Sequence, residues 1–253
     1  MAAVPVAPPP SAPEAAPVSQ GARIINTFIA PSKTFMDIRR SASWWAPYLL
    51  IAICTLVFMG VIDRQVGFEQ VSKNELARSP KRAEQFEKLP PAQQEQQMKI
   101  SVVITRAISY AVPVLILLFY LIFAAIYMGI FNMAFGAQIP FKRYYAIVVY
   151  AGLPGIISVA LGCITLFAGV DPEGFNINNP VATNLAHFMD PNGNKFLYGM
   201  ASGVDLFIWW GIVLTGIGIA CNSKVKRSTA IMTIGGLYLL YKLVGSGIAA
   251  ALS

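Results

Sequence analysis

AISYAVPVLILLFYLIFAAIYMGIFNMAF, Ala107–Phe135, is a run of 29 residues without a single charged side chain. A helix needs roughly 20 mostly apolar residues to cross a hydrocarbon core of about 30 Å. Backbone N–H and C=O groups find no water there, so the segment must satisfy them internally, as an α-helix. Drawn as one helix it measures ~44 Å, which predicts a tilt, a bend near Pro113 or projection beyond the bilayer. Four further stretches have the same character: Trp44–Ile62, Tyr144–Val170, Gly203–Cys221 and Thr229–Leu252. The expected fold is all-α, a polytopic membrane protein of five transmembrane helices over 44–62, 107–135, 144–170, 203–221 and 229–252. A helical extramembrane loop, 63–106, follows the first of them, and a second outer loop covers 171–202.

Composition agrees with this class. The chain is 56% hydrophobic and only 12% charged, about half the charged share of a soluble domain. A net charge of +7 raises the question of nucleic acid, but no basic patch is interleaved with aromatic residues, and the charge is distributed around the spans. Cys54, Cys163 and Cys221 lie within or at the end of spans. They lack metal-ligand spacing and read as small buried hydrophobes.

Residues 1–21 are rich in Ala and Pro and lack a continuous apolar core, which excludes a signal peptide and predicts a disordered, partly polyproline-like tail. Residues 22–252 form the membrane domain. Within it, Ala22–Arg40 mixes Phe35, Met36 and Ile38 with Arg23, Lys33, Arg39 and Arg40, and Pro31 divides it. That mixture predicts a segment lying in the headgroup layer, followed by an interfacial anchor of Trp44, Trp45 and Tyr48.

Lys and Arg in the loops set the orientation. The segment before the first span, the Lys142–Arg143 turn and the loop with Lys224, Lys226 and Arg227 must share a side, and their basic character makes it the cytoplasm. The expected topology is N-terminus in, C-terminus out. The loop 63–106 has eight basic and six acidic residues, and the bias weakens in longer loops. Short amphipathic helices are expected at Phe68–Arg78 and Lys81–Lys88, with a third starting near Ala92 and running into the second span.

Candidate functional residues are few. Lys242 lies inside the fifth span, where a charge costs at least about 2.5–3.5 kcal/mol without a partner or a wet cavity. Counting along the helices places Asp205 at a similar depth, so the two are expected as an intramembrane charge pair, a proton relay or more plainly a structural bond, with Lys242 snorkelling to the outer interface as the other plain reading. Tyr150-Ala-Gly152-Leu-Pro154-Gly155 predicts a kink with close backbone packing. Gly216/Ala220 and Gly245/Ala249 have the four-residue spacing that lets membrane helices approach closely. Asp190-Pro-Asn-Gly-Asn194 resembles the start of a calcium loop, but Lys195 stands at the required glycine and Ala201 at the required glutamate. His187 has no second ligand in view. No nucleophile motif, phosphate loop, paired carboxylate or metal cluster is visible, so neither metal nor cofactor is expected.

The order of features resembles the Yip1 family of five-span membrane proteins in its bacterial form. The similar pieces are Phe28-Ile-Ala-Pro31 with Thr34-Phe35, Trp45-Ala-Pro47, Tyr150-Ala-Gly-Leu-Pro154, Asn179-Pro-Val-Ala-Thr-Asn184, and Asp205-Leu-Phe-Ile-Trp-Trp210 followed by Gly216-Ile-Gly218. The resemblance covers about Ala22 to Leu252 and implies the five-span fold. Eukaryotic members are adaptors in vesicle traffic that bind Rab GTPases; bacterial relatives generally lack an established activity. The weakly basic first outer loop and the tail do not suggest a GTPase site, so only the fold is carried over.

The function expected is therefore a non-enzymatic integral membrane protein: an organiser, an adaptor or an accessory subunit. The alternative is a transporter or permease component using Asp205 and Lys242. The expected surroundings are the bacterial inner membrane and its lipid bilayer, a membrane-protein partner or a homo-oligomer, and no nucleic acid.

Overall fold

A computed structural model describes residues 18–190 and 193–252 of the chain. Eleven α-helices appear among these residues: α1 Gln20–Ile29, α2 Pro31–Asp37, α3 Trp45–Gln65, α4 Phe68–Ala77, α5 Pro80–Glu87, α6 Pro91–Phe135, α7 Phe141–Ala151, α8 Gly155–Phe167, α9 Lys195–Ser202, α10 Leu206–Asn222 and α11 Arg227–Leu252. The Ala/Pro-rich tail lies outside the described residues up to position 17, and its expected end at 21 is corrected by α1, which starts at Gln20 behind an Ser19 cap.

Among the described residues, four helical segments are long and apolar enough to cross a bilayer: α3, α6, the interrupted pair α7–α8 and α11. The expected span 203–221 corresponds to α10, which has 17 residues and a length of about 25 Å. It is shorter than expected because the backbone leaves the helix at Asp205. The three-helix reading of loop 63–106 holds: α4 and α5 fall on the predicted segments, and α6 starts at Pro91. With 45 residues, α6 is about 68 Å long, and it runs unbroken through Pro113, whose carbonyl accepts from the Tyr48 hydroxyl at 3.3 Å.

Each end of the bundle is held by side-chain hydrogen bonds between segments far apart in the chain. At one end, Arg143 donates to Arg39 O at 2.9 Å, Asn222 to Phe35 O at 2.9 Å and Arg227 to Ser32 Oγ at 3.2 Å. At the other, Asn74 donates to Pro172 O at 2.7 Å and Arg78 to Phe175 O at 3.0 Å. The loops that the charge pattern assigned to a common side therefore touch one another.

Packing follows from this order. Phe131, Tyr144, Tyr145 and Ile219 centre one core between α6, α7, α10 and α11. Phe35, Ile147, Tyr150 and Leu214 centre a second, where α2 packs into α7 and α10. Phe58, Ile62, Phe68 and Leu166 form a third between α3, α4 and α8. The remaining apolar surface, such as Val103, Phe119, Ile122 and Ile126 along α6, faces outward as lipid contact demands.

Candidate functional site

The buried charge pair lies before the first span. Arg23 and Asp37 form an ion pair across the α1–α2 turn, with side chains only 3% and 10% exposed. Arg23 also donates through Nη1 to Ser41 O at 2.9 Å, tying the hairpin to the start of α3. Its carbonyl accepts the hydroxyls of Thr27 and Thr34, each at 2.8 Å, and Gln20 Oε1 accepts from Tyr150 at 2.9 Å. Arg23, Thr27 and Thr34 are buried, while Ile25, Ile29 and Met36 are exposed. The inward face of the hairpin carries this polar cluster beside the buried Phe35 and Ile38, and its outward face carries Ile25, Ile29 and Met36 together with Lys33. Apolar outward side chains flanked by a lysine suit the lipid interface, and every inward donor or acceptor named has a partner.

Asp205 and Lys242 do not pair. The residue before an apolar run is where a helix begins, and Asp205 caps α10: Oδ1 accepts from Phe207 N at 2.9 Å and Ile208 N at 3.0 Å. Oδ2 accepts from the Thr183 hydroxyl at 2.5 Å. Thr183 O accepts in turn from Leu206 N at 3.1 Å, within an antiparallel bridge between Asn184 and Asp205. Lys242 Nζ instead donates to Ser202 Oγ at 2.9 Å at the end of α9, where helix carbonyls favour a cation. The Lys242 stem crosses Gly203 so closely that a Cβ there would stand 2.9 Å from its Cε. Gly203 O also accepts from Trp209 Nε1 at 3.1 Å and the Tyr238 hydroxyl at 3.2 Å. The depth count is sound, since the Lys242 stem crosses Gly203, but the Asp205 carboxylate is occupied by the first amides of α10 and by Thr183. The N-cap signature of Asp before Leu206-Phe-Ile-Trp-Trp is the signal for that different partner.

The cap reading makes a sharp prediction. Asp205→Ala removes two amide partners and a charge-assisted hydroxyl bond, and is expected to cost about 2 kcal/mol in detergent-solubilised unfolding. Asp205→Asn keeps a capping oxygen and should recover more than half of that. An Asn variant as unstable as the Ala variant would point to a charge partner instead.

The kink predicted around Pro154 is a tightened turn over residues 152–154 that separates α7 from α8, with Gly152 and Pro154 keeping right-handed helical dihedrals. Its backbone stays bonded by shifting to three-residue spacing, as in Gly155 N to Gly152 O at 3.1 Å and Ile157 N to Pro154 O at 3.0 Å. The break is filled, not open: Leu153 and Tyr150 are fully buried, and the Tyr120 ring of α6 lies where a Gly152 Cβ would be. Gly216 performs the expected role, since a Cβ there would be 2.9 Å from the Ile231 backbone nitrogen of α11. Ala220, one turn on, is partly buried. Other packing expectations are corrected. Gly155 and Gly245 have open space around them, and Gly245 and Ala249 lie on the exposed face of α11. In the C-terminal part of α11 it is Ser246 that packs, against Gly199 of α9.

The motif residues thus come together in pairs. Thr183 and Asn184 of the outer loop grip Asp205, and Phe28 meets Trp210 edge-on at 5.9 Å between centroids. Phe35 packs where Gly218 leaves room. The family model for the Yip1 domain matches residues 25–248. The chain belongs to the Yip1 family. The match begins inside α1 and ends inside α11, so the Yip1 domain here includes the N-terminal hairpin as well as every span. No curated protein and no solved structure gives a significant match. Among the described residues no group of His, Cys, Asp and Glu is placed to hold a metal ion, and His187 is exposed with its ring against Phe188.

Proposed function

We propose that this Yip1-family membrane protein is a non-enzymatic organiser, adaptor or accessory subunit of a membrane assembly. One observation carries the reading: the α1–α2 hairpin is locked to the bundle through Phe35, Ile38 and the Arg23–Asp37 cluster and turns Ile25, Ile29 and Met36 outward, at 60%, 74% and 53% exposure. A rigid apolar surface beside a span bundle suits contact with lipid and with a neighbouring membrane protein. The basic end of the bundle, which includes the hairpin, faces the cytoplasm in this proposal.

Purification in native lipid particles tests it. The full chain should co-isolate with a membrane-protein partner in constant ratio. Ile25→Gln/Ile29→Gln, which leaves the buried face intact, should reduce that recovery about tenfold. Lys242→Met should leave both recovery and cellular function unchanged. A partner-free protein whose vesicles pass a solute, with flux lost in Lys242→Met, would overturn the proposal in favour of a transporter.

A further inference from the structure

At the end of the bundle opposite the hairpin loops, α3, α4, α5 and α6 border a cavity of about 990 Å³. Its α6 wall is a single helical face, on which Gln97, Ser101, Thr105 and Ser109 recur at four-residue spacing and Ile108 and Val112 follow. From Gln97 to Val112 this wall is about 22 Å long. The extramembrane part sets Arg82, Gln85 and Gln97 among Leu76, Phe86, Leu89 and Met98, whereas Met59, Ile108 and Val112 line the part inside the spans. Ile108 is 55% exposed, so the deep part opens sideways toward the surrounding hydrocarbon.

The charge at the mouth is uncompensated and positive. Glu75, the acidic lining residue, is already engaged: Oε1 is 3.3 Å from Arg78 Nη1, and Oε2 accepts from Asn178 at 3.0 Å. Arg82 has no hydrogen bond or ion pair among the described residues. A largely apolar channel that carries Arg82 unpaired at its mouth, a row of hydroxyls along one wall and a laterally open base suits an amphiphile with an anionic head.

We propose that the cavity takes an anionic phospholipid from the adjoining leaflet. Its phosphate meets Arg82, its glycerol and ester oxygens lie along the Ser101, Thr105 and Ser109 hydroxyls, and one acyl chain rests on Met59, Ile108 and Val112. The site is separate from the hairpin surface, so it stands whether or not the adaptor proposal does.

The test uses the full-length protein in nanodiscs of equal phosphatidylglycerol and phosphatidylcholine, followed by release into detergent and native mass spectrometry. One phosphatidylglycerol should stay on each chain, in about fivefold preference over phosphatidylcholine, the scale of one basic residue at a membrane surface. Thr105→Trp should empty the cavity. Arg82→Glu should abolish the head-group preference, and Arg64→Glu, outside the cavity, should change nothing. Photoactivatable phosphatidylglycerol on the unaltered chain should label the peptides around Ser101–Val112, independently of any variant's folding. Retention that survives in folded Thr105→Trp, labelling confined to other helices, equal retention of both lipids, or displacement by soluble glycerol 3-phosphate would each overturn the proposal.

Discussion

Arg23→Ala should destabilise the domain by about 3–5 kcal/mol, the usual result of leaving one member of a buried ion pair without its partner. Asp37 would keep its charge in a site where its own exposure is 10%, and Ser41 O would lose its donor. Asp37→Ala should cost a similar amount. Replacing both, as Arg23→Met/Asp37→Leu, removes the stranded charge and should recover most of the loss, because a buried pair contributes little over apolar residues of similar volume. The measurement is equilibrium unfolding in mixed micelles, with limited proteolysis at Ala30 reporting release of the hairpin. If the double variant is as unstable as either single one, the pair contributes geometry that apolar packing cannot replace. If the single variants lose under 1 kcal/mol, water reaches the pair and the buried polar cluster of the hairpin is the wrong description.

Gly152→Val should be nearly as damaging, by about 3 kcal/mol, because overpacking here strikes a ring with nowhere to retreat. A Cβ at this position would fall inside contact distance of the Tyr120 hydroxyl and 2.8 Å from its ring carbon Cζ. Tyr120 is itself packed against both inner cores. Gly152→Ala isolates the first of these clashes. Adding Tyr120→Phe to Gly152→Ala should restore about half of the lost stability, since contacting residues couple by 0.5–3 kcal/mol in double-variant cycles. Additive effects would mean that the α7–α8 break relaxes away from α6, and that its packing is looser than the geometry shown. The neighbouring Gly155→Ala supplies the contrast: with nothing within 4 Å of its added Cβ, it should be close to neutral.

Both predictions concern residues whose importance depends on what they meet, and this is where the sequence ceased to be informative. The Pro154 motif marks Gly152 and Gly155 alike, and four-residue spacing marks Gly216 and Gly245 alike, yet Gly152 and Gly216 face other helices and the other two face open space. Nothing local marks Asp37 as a partner of Arg23, because it lies 14 positions away on a different short helix. Asp205 and Lys242 share a depth, but the carboxylate is taken up by the α10 cap and Thr183 while the ammonium finds Ser202.

What the sequence determined by itself was everything that the bilayer enforces. Apolar length, backbone hydrogen bonding without water and the price of unpaired charge leave only helices across the spans, and these constraints are local, so Ala107–Phe135 could be read without knowing its neighbours. The amphipathic segments of loop 63–106 and the break at Pro154 were legible for the same reason, as was the Yip1 resemblance, which is an order of short local motifs. Tertiary structure decided which face of each helix turns inward and which polar groups meet. In a membrane both faces of a helix can be apolar, so composition does not distinguish core from lipid, and the α1–α2 hairpin even reverses the soluble rule by burying Arg23, Thr27 and Thr34. Partner choice for a buried charge depends on distances of a few ångströms between elements far apart in the chain. Those distances are set by the packing of the whole bundle.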